Sequence, residues 1–144
     1  MRLKRKSQLL LLIPVMLLTQ AYACNKYHTA VVVEHDFTVS VKAFQDGETA
    51  LFQAGNVSLA EHQAIEAKVA QVAVIGQALN SLITSNATQQ SVAAETKLLI
   101  AAVNDLNTSG VLQVKNPQSQ ANLKIALQAI SDIVQNLTAA LGVS

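Results

Sequence analysis

Residues 116–142 read NPQSQANLKIALQAISDIVQNLTAALG, and this stretch decides the fold class. Asn116 is a good helix N-cap, and Pro117 suits the first helical turn because its missing amide is not needed there. Gly142 suits the position just past a helix end. Apolar residues between these marks recur at steps of three and four, which is typical of a helix with one buried face. That face is Leu123, Leu127, Ile130, Val134, Leu137 and Leu141.

Two earlier stretches show the same period, and each has its own start signal. The residues SLAE at 58–61 have the form of a capping box, which predicts a helix beginning at Leu59. Thr88 predicts the N-cap of the next helix, and Gly110 predicts a left-handed stop at its end. The predicted buried faces are His62, Ile65, Val69, Val72, Gly76, Leu79 and Ile83 in 59–83, and Val92, Glu95, Leu99, Ala102 and Leu106 in 89–106, widened by Leu98 and Val103.

The segment 27–54 fits two patterns. Apolar and polar residues alternate from Val31 to Lys42, which is typical of a strand, and Asp46-Gly47 would then turn a β-hairpin. A helical face also fits, and it consists of Ala30, Val33, Phe37, Val41, Phe44 and Leu51. We favour the helix, with Gly47 as the point where it could kink, because three amphipathic helices already need partners. The prediction is an all-α antiparallel bundle of about four helices, with a β-hairpin at 27–54 as the alternative.

The N-terminal residues indicate export. Four basic residues lie within Arg2–Lys6, and an apolar run of ten residues follows at 9–18. Ala21-Tyr22-Ala23 then supplies small residues at positions −3 and −1 of a cleavage site after Ala23. This order is typical of a secretory signal, and a run of ten is too short for a membrane span, which needs about 20 residues. We therefore divide the chain into a signal peptide, 1–23, and a single helical domain, 24–144.

Cys24 is the only cysteine, and it directly follows Ala21-Tyr22-Ala23. The arrangement resembles the lipobox of bacterial lipoproteins, in which the signal is cut before a cysteine that then carries lipid. The resemblance implies lipidation of Cys24 and a membrane anchor in the cell envelope. The alternative is ordinary cleavage, which would leave a secreted or periplasmic protein. The rest of the chain resembles small exported helical proteins of unknown function and no named family.

Composition excludes several classes of function. Without residues 1–23, the chain has six lysines, no arginine and nine acidic residues, a net charge of −3. Such a chain has little to hold phosphates, so we expect no nucleic-acid partner. A single cysteine excludes an internal disulfide framework.

Residues that could carry chemistry are scattered. His28 and His35 are seven positions apart, about 10.5 Å along a helix, which is too far for one metal ion, and His62 belongs to another helix. The sequence has no G-x-S-x-G nucleophile motif, and no E-x-x-H pair. Glu95, Asp105 and Asp132 have no other acidic residue or histidine close to them in the sequence.

The chemistry therefore predicts no catalytic residue, no metal site and no cofactor, and the protein is not expected to be an enzyme. The expected function is a structural or protein-interaction role, with membrane attachment through Cys24 and an unidentified envelope protein as partner. The alternative is a carrier that holds a small apolar ligand between its helices.

Overall fold

A computed structural model describes residues 33–143. Helix α1 covers 33–53, α2 covers Leu59–Thr84, α3 covers Gln89–Asp105 and α4 covers Pro117–Leu141. Between α3 and α4 the chain forms a π-helical turn, Leu106–Gly110, and a 3-10 turn, Val111–Gln113. The fold is the predicted all-α bundle of four helices. No strand occurs in residues 33–143, so the β-hairpin alternative is wrong for the described part of 27–54.

The predicted signal peptide, 1–23, and the predicted lipidation residue Cys24 lie outside the described residues. The same is true of His28. Helix α1 runs through Gly47 without interruption. Among residues 33–143, none of the helices combines the length and the hydropathy that a membrane crossing requires.

Four of the five predicted capping residues occupy the positions that the sequence indicated. The Ser58 hydroxyl accepts from the Glu61 amide at 3.3 Å, and the Glu61 carboxylate accepts from the Ser58 amide at 2.7 Å, which completes the capping box. Thr88 and Asn116 each accept from the amide three residues later, at 3.2 and 3.0 Å. Gly142 has φ +65° and ends α4 in the left-handed conformation. These predictions are confirmed.

Successive helices pack against one another in antiparallel order. Phe37 in α1 lies against Gly76 in α2, and further along α1 the side chain of Glu48 contacts His62. The residue numbers rise on α1 as they fall on α2, so the two helices run in opposite directions. Helix α2 then packs on α3, and α3 packs on α4.

The predicted faces form most of the core, with a few corrections. Val33 and Leu51 on α1 and His62 on α2 are only partly buried, and Ala30 lies outside the described residues. Leu79, Leu99 and Ile130 are at most 1% exposed. Thr96, not Glu95, takes the buried position of α3, and its hydroxyl donates to a backbone carbonyl at 2.7 Å, so no polar group is left unpaired. The other corrections are that Leu98 is 53% exposed and that Leu141 is only half-buried.

Gly110 does not have the predicted left-handed conformation, because its φ is −116°. A Cβ added at this position would lie 3.3 Å from Leu106 Cδ1, 3.6 Å from Ile65 Cγ1 and 3.9 Å from Ile65 Cα. Only the contact with Leu106, in the same turn, would be tight, while the distances to Ile65 are ordinary van der Waals separations between this turn and α2. The helical path continues through Asn107–Gly110 as a π-helical turn instead of stopping there.

Glu61 joins the start of α2 to the segment before α4. Its Oε1 atom accepts from the Lys115 backbone amide at 2.8 Å, while Oε2 accepts from Ser58. The hydrogen bonds with Ser58, and then that with Lys115, lower the pKa of the Glu61 carboxyl. The ionised carboxylate thus stabilises a contact between two distant parts of the bundle.

This pKa shift predicts an acid-dependent loss of stability. Because the pKa of Glu61 is lower in the folded state, its contribution is complete above the ordinary pKa of 4.5 and is lost as pH falls through the folded value. We expect the free energy of unfolding to fall below that pH, and the variant Glu61→Gln to show a shallower fall. Urea unfolding from about pH 7 to about pH 3 measures both slopes. Equal slopes for the two proteins would contradict the prediction.

Candidate functional site

Three side chains that can bind metal ions or exchange protons meet between α1 and α2. We call Glu48, His62 and Glu66 the Glu-His cluster. Glu48 follows Phe44 on the buried face of α1, and its side chain is 0% exposed. His62 and Glu66 are four residues apart on α2, so they lie on the same side of that helix, one turn apart.

Hydrogen bonds and ring stacking fix the orientation of these side chains. His62 Nδ1 lies 2.8 Å from Glu48 Oε2 and 3.0 Å from Glu48 Oε1. Gln45 donates from Nε2 to Glu66 Oε2 at 3.1 Å. The Phe52 ring stacks on the imidazole with a centroid distance of 4.1 Å and an interplanar angle of 3°. The imidazole is therefore held between an aromatic ring and a carboxylate.

Burial affects both glutamates of the cluster. Burial raises the pKa of Glu48, the hydrogen bond and the charge of His62 oppose that rise, and the nearby Glu66 carboxylate adds to it. Glu66 Oε1 is buried, and it has no hydrogen-bond partner among the described residues. An unpaired buried carboxylate oxygen is costly, because it has lost its hydration and gained nothing in return.

The cluster is also compact enough to bind a metal ion. Each of its three residues offers one ligand atom, and these atoms all lie within 4.8 Å of one another. The sequence predicted no metal site, because His28 and His35 are too far apart on one helix and no E-x-x-H pair occurs. The structure brings His62 to two carboxylates instead, one of them from a different helix.

A signal for this cluster was present in the sequence. The apolar face of α1 runs through positions 37, 41, 44 and 51, and the helical step places Glu48 on it. The sequence predicts His62 on the buried face of α2, but spacing within one helix does not pair it with an acid from α1. A charged residue on each of two neighbouring apolar faces indicates that the two meet, because a lone buried charge is rarely tolerated.

The other candidate residues have structural contacts. Asp105 is not isolated, since its carboxylate accepts from the Lys68 ammonium and from the Ser109 hydroxyl. The hydrogen bond from Lys68, and then that from Ser109, lower the pKa of Asp105. Asp132 accepts from Gln128 on α4 at 2.8 Å. His35 is exposed on α1, away from the cluster.

An open groove of about 340 Å³ lies between α3 and α4, at the end of the bundle where α4 finishes. Its walls combine apolar and amide or hydroxyl side chains, so the groove presents a mixed surface. The lining residues are Ile100, Val103, Asn104, Ser131, Val134, Gln135, Thr138, Ala139 and Val143.

Among the described residues, the Glu-His cluster and the groove are thus two candidate sites. In comparisons with known proteins, no family model, curated protein or solved structure matches this chain.

Proposed function

We propose that this chain is an exported protein of the bacterial cell envelope, attached to a membrane through a lipid on Cys24. In this role the helical bundle acts as a structural or protein-interaction module and not as an enzyme. The observation that carries the proposal is the position of Cys24, immediately after a basic segment, an apolar run and Ala21-Tyr22-Ala23.

Two further properties support the proposal. A lone thiol in an oxidising compartment is a liability unless the protein uses it, and a lipid on Cys24 would be such a use. Several acyl chains would anchor the protein, whereas one chain gives only marginal binding at about 0.8 kcal/mol per buried methylene. The charge of −3 on residues 24–144 makes attraction to anionic headgroups a poor alternative anchor.

The geometry of such an anchor would keep the bundle close to the membrane. Cys24 precedes the first described residue of α1 by nine positions. Whatever their conformation, nine residues span at most about 32 Å. A partner in the same membrane, or in a layer next to it, would therefore be within reach of the exposed faces of the helices.

The intact mass of the protein from its native host tests this proposal. Measured under denaturing conditions, the mass is expected to equal that of residues 24–144 plus a diacylglyceryl group, with or without a further acyl chain. The matched variant Cys24→Ala is expected to lose the adduct, because it removes the thiol that carries the lipid. An unmodified chain beginning at Cys24 would contradict the anchor but not export, and a chain still beginning at Met1 would contradict export.

The groove between α3 and α4 favours a second candidate function, the carriage of a small apolar ligand. Its volume of about 340 Å³ lies at the lower end of the usual range for ligand pockets, about 300–1,000 Å³. The groove is open along one side, whereas a good pocket buries most of its ligand, so we place this function second. A native mass of the same sample would distinguish the two, since a carrier is expected to retain a non-covalent ligand that denaturation releases.

A further inference from the structure

We propose that Glu48, His62 and Glu66 bind one divalent transition-metal ion, such as Zn²⁺, between α1 and α2. The three ligands would be one carboxylate oxygen from each glutamate and the Nδ1 atom of His62, which is the ring nitrogen that faces Glu48. This proposal is independent of the lipid anchor, because it rests only on described residues of the bundle.

The first argument is the charge of the cluster. Two carboxylates lie beside one imidazole, and the ion pairs that lysines form within residues 33–143 go to Asp46 and Asp105 instead. His62 alone therefore balances the cluster, and only when it is protonated. When both carboxylates are ionised and the imidazole is neutral, the cluster carries a charge of −2, which one divalent cation neutralises.

The second argument is the oxygen of Glu66 that has no partner. Glu66 Oε1 is buried and makes no hydrogen bond within residues 33–143, while Oε2 is held by Gln45. Buried polar atoms are nearly always paired, so an exception calls for a partner such as an ion. A cation at the cluster would supply what this carboxylate lacks.

The third argument is that the ligands are already oriented. Metal-binding side chains are usually held by a further set of contacts, and their loss weakens binding. Here Phe52 stacks on the His62 ring, and Gln45 donates to Glu66. The side chain of His62 is 21% exposed, which leaves a route for an ion to reach Glu48 in the interior.

The ligand chemistry indicates the kind of ion. Imidazole suits Zn²⁺ and its first-row neighbours, whereas Mg²⁺ and Ca²⁺ prefer oxygen ligands alone. Zinc lies about 2.0–2.2 Å from nitrogen and oxygen ligands, which puts tetrahedral neighbours about 3.4 Å apart. The three ligand atoms are within 4.8 Å of one another, a spacing of the same order as the roughly 3.4 Å of a zinc shell. Water would complete the coordination.

Isothermal titration calorimetry of the full chain with Zn²⁺ tests the proposal. The protein is purified in mild detergent, and bound metal is first removed with a chelator. The main variant is Glu66→Gln, which keeps the size of the side chain and lets its amide form hydrogen bonds in place of the metal. His62→Gln is the second variant, and His35→Gln is the matched control, because His35 lies exposed on α1.

We expect one Zn²⁺ per chain and a higher melting temperature with the metal. Loss of an outer-shell contact already weakens metal binding by about 10–100-fold, so the loss of a direct ligand in Glu66→Gln or His62→Gln should weaken it at least as much. His35→Gln should bind like the unchanged protein. Circular dichroism checks that each variant is helical, and if His62→Gln does not fold, the result for Glu66→Gln decides.

Two results would overturn the proposal. One is the absence of stoichiometric Zn²⁺ binding by the helical, metal-free protein. The other is binding that is unchanged in Glu66→Gln but lost in Cys24→Ala or His28→Gln, which would place the ion elsewhere. Co²⁺ is an independent spectroscopic probe, since its visible absorption would have to disappear in Glu66→Gln and persist in His35→Gln.

Discussion

Replacing Leu79, Leu99 or Ile130 by alanine is expected to lower the free energy of unfolding by about 2–5 kcal/mol in each case. The three side chains belong to α2, α3 and α4, and each is at most 1% exposed. Truncation removes apolar surface from the core and leaves a cavity that neighbouring helices can only partly fill. Urea unfolding followed by circular dichroism measures the loss.

Leu98→Ala is the matched control for Leu99→Ala. Leu98 precedes Leu99 on α3, but it is 53% exposed, so its truncation is expected to change stability by less than about 0.5 kcal/mol. Both changes are leucine to alanine in the same helix, so the difference between them reports burial alone. Equal losses at the two positions, or losses below about 0.5 kcal/mol at all three core positions, would contradict the described packing.

The second large effect is expected at Gly76, where Phe37 of α1 lies against α2. A Cβ added at Gly76 would lie 2.4 Å from Cε1 of Phe37, a side chain that is itself only 3% exposed. The ring cannot withdraw without disturbing the core, so we expect Gly76→Ala to cost about 1–3 kcal/mol in overpacking. The better helix propensity of alanine offsets up to about 1 kcal/mol of that cost.

Gly47→Ala is the matched control, because Gly47 also lies inside a helix but has no atom within 4 Å of an added Cβ. This variant should stabilise the protein by up to about 1 kcal/mol, since only the propensity changes. The gain in propensity is common to both positions, and the difference in their unfolding free energies therefore isolates the contact with Phe37. Similar stabilisation by both alanines would show that α1 and α2 are not packed as described.

Much of this fold was predictable, because its main signals are local. Ser58, Thr88 and Asn116 each bond to an amide three residues away, and Gly142 ends α4 through its own backbone conformation. Signals of this kind depend on a few neighbouring residues, so they can be recognised from the sequence alone. The helical period of α2 and α4 is equally local, and it predicted their buried faces almost completely.

The errors occur where the neighbouring helix decides. The sequence predicts a left-handed stop at Gly110, whereas the structure gives this residue φ −116° and places it beside Ile65 on α2, about 45 positions earlier in the chain. Glu95 and Thr96 both fit a step of three or four, and the contact of α3 with its neighbours placed Thr96 inside. A hydroxyl can bond to its own helix when buried, whereas a carboxylate needs a partner from elsewhere.

By itself, the sequence determined α2, α3 and α4, most of their ends and most of their buried faces, because caps and periodicity act over one or two turns of the chain. For 27–54 it left a β-hairpin as the alternative. Only the tertiary structure decided which polar residues meet. Glu48 and His62 belong to different helices, and the antiparallel packing of α1 on α2 brings them, with Glu66, into one buried cluster. No local pattern specifies that contact, since it depends on how two whole helices pair.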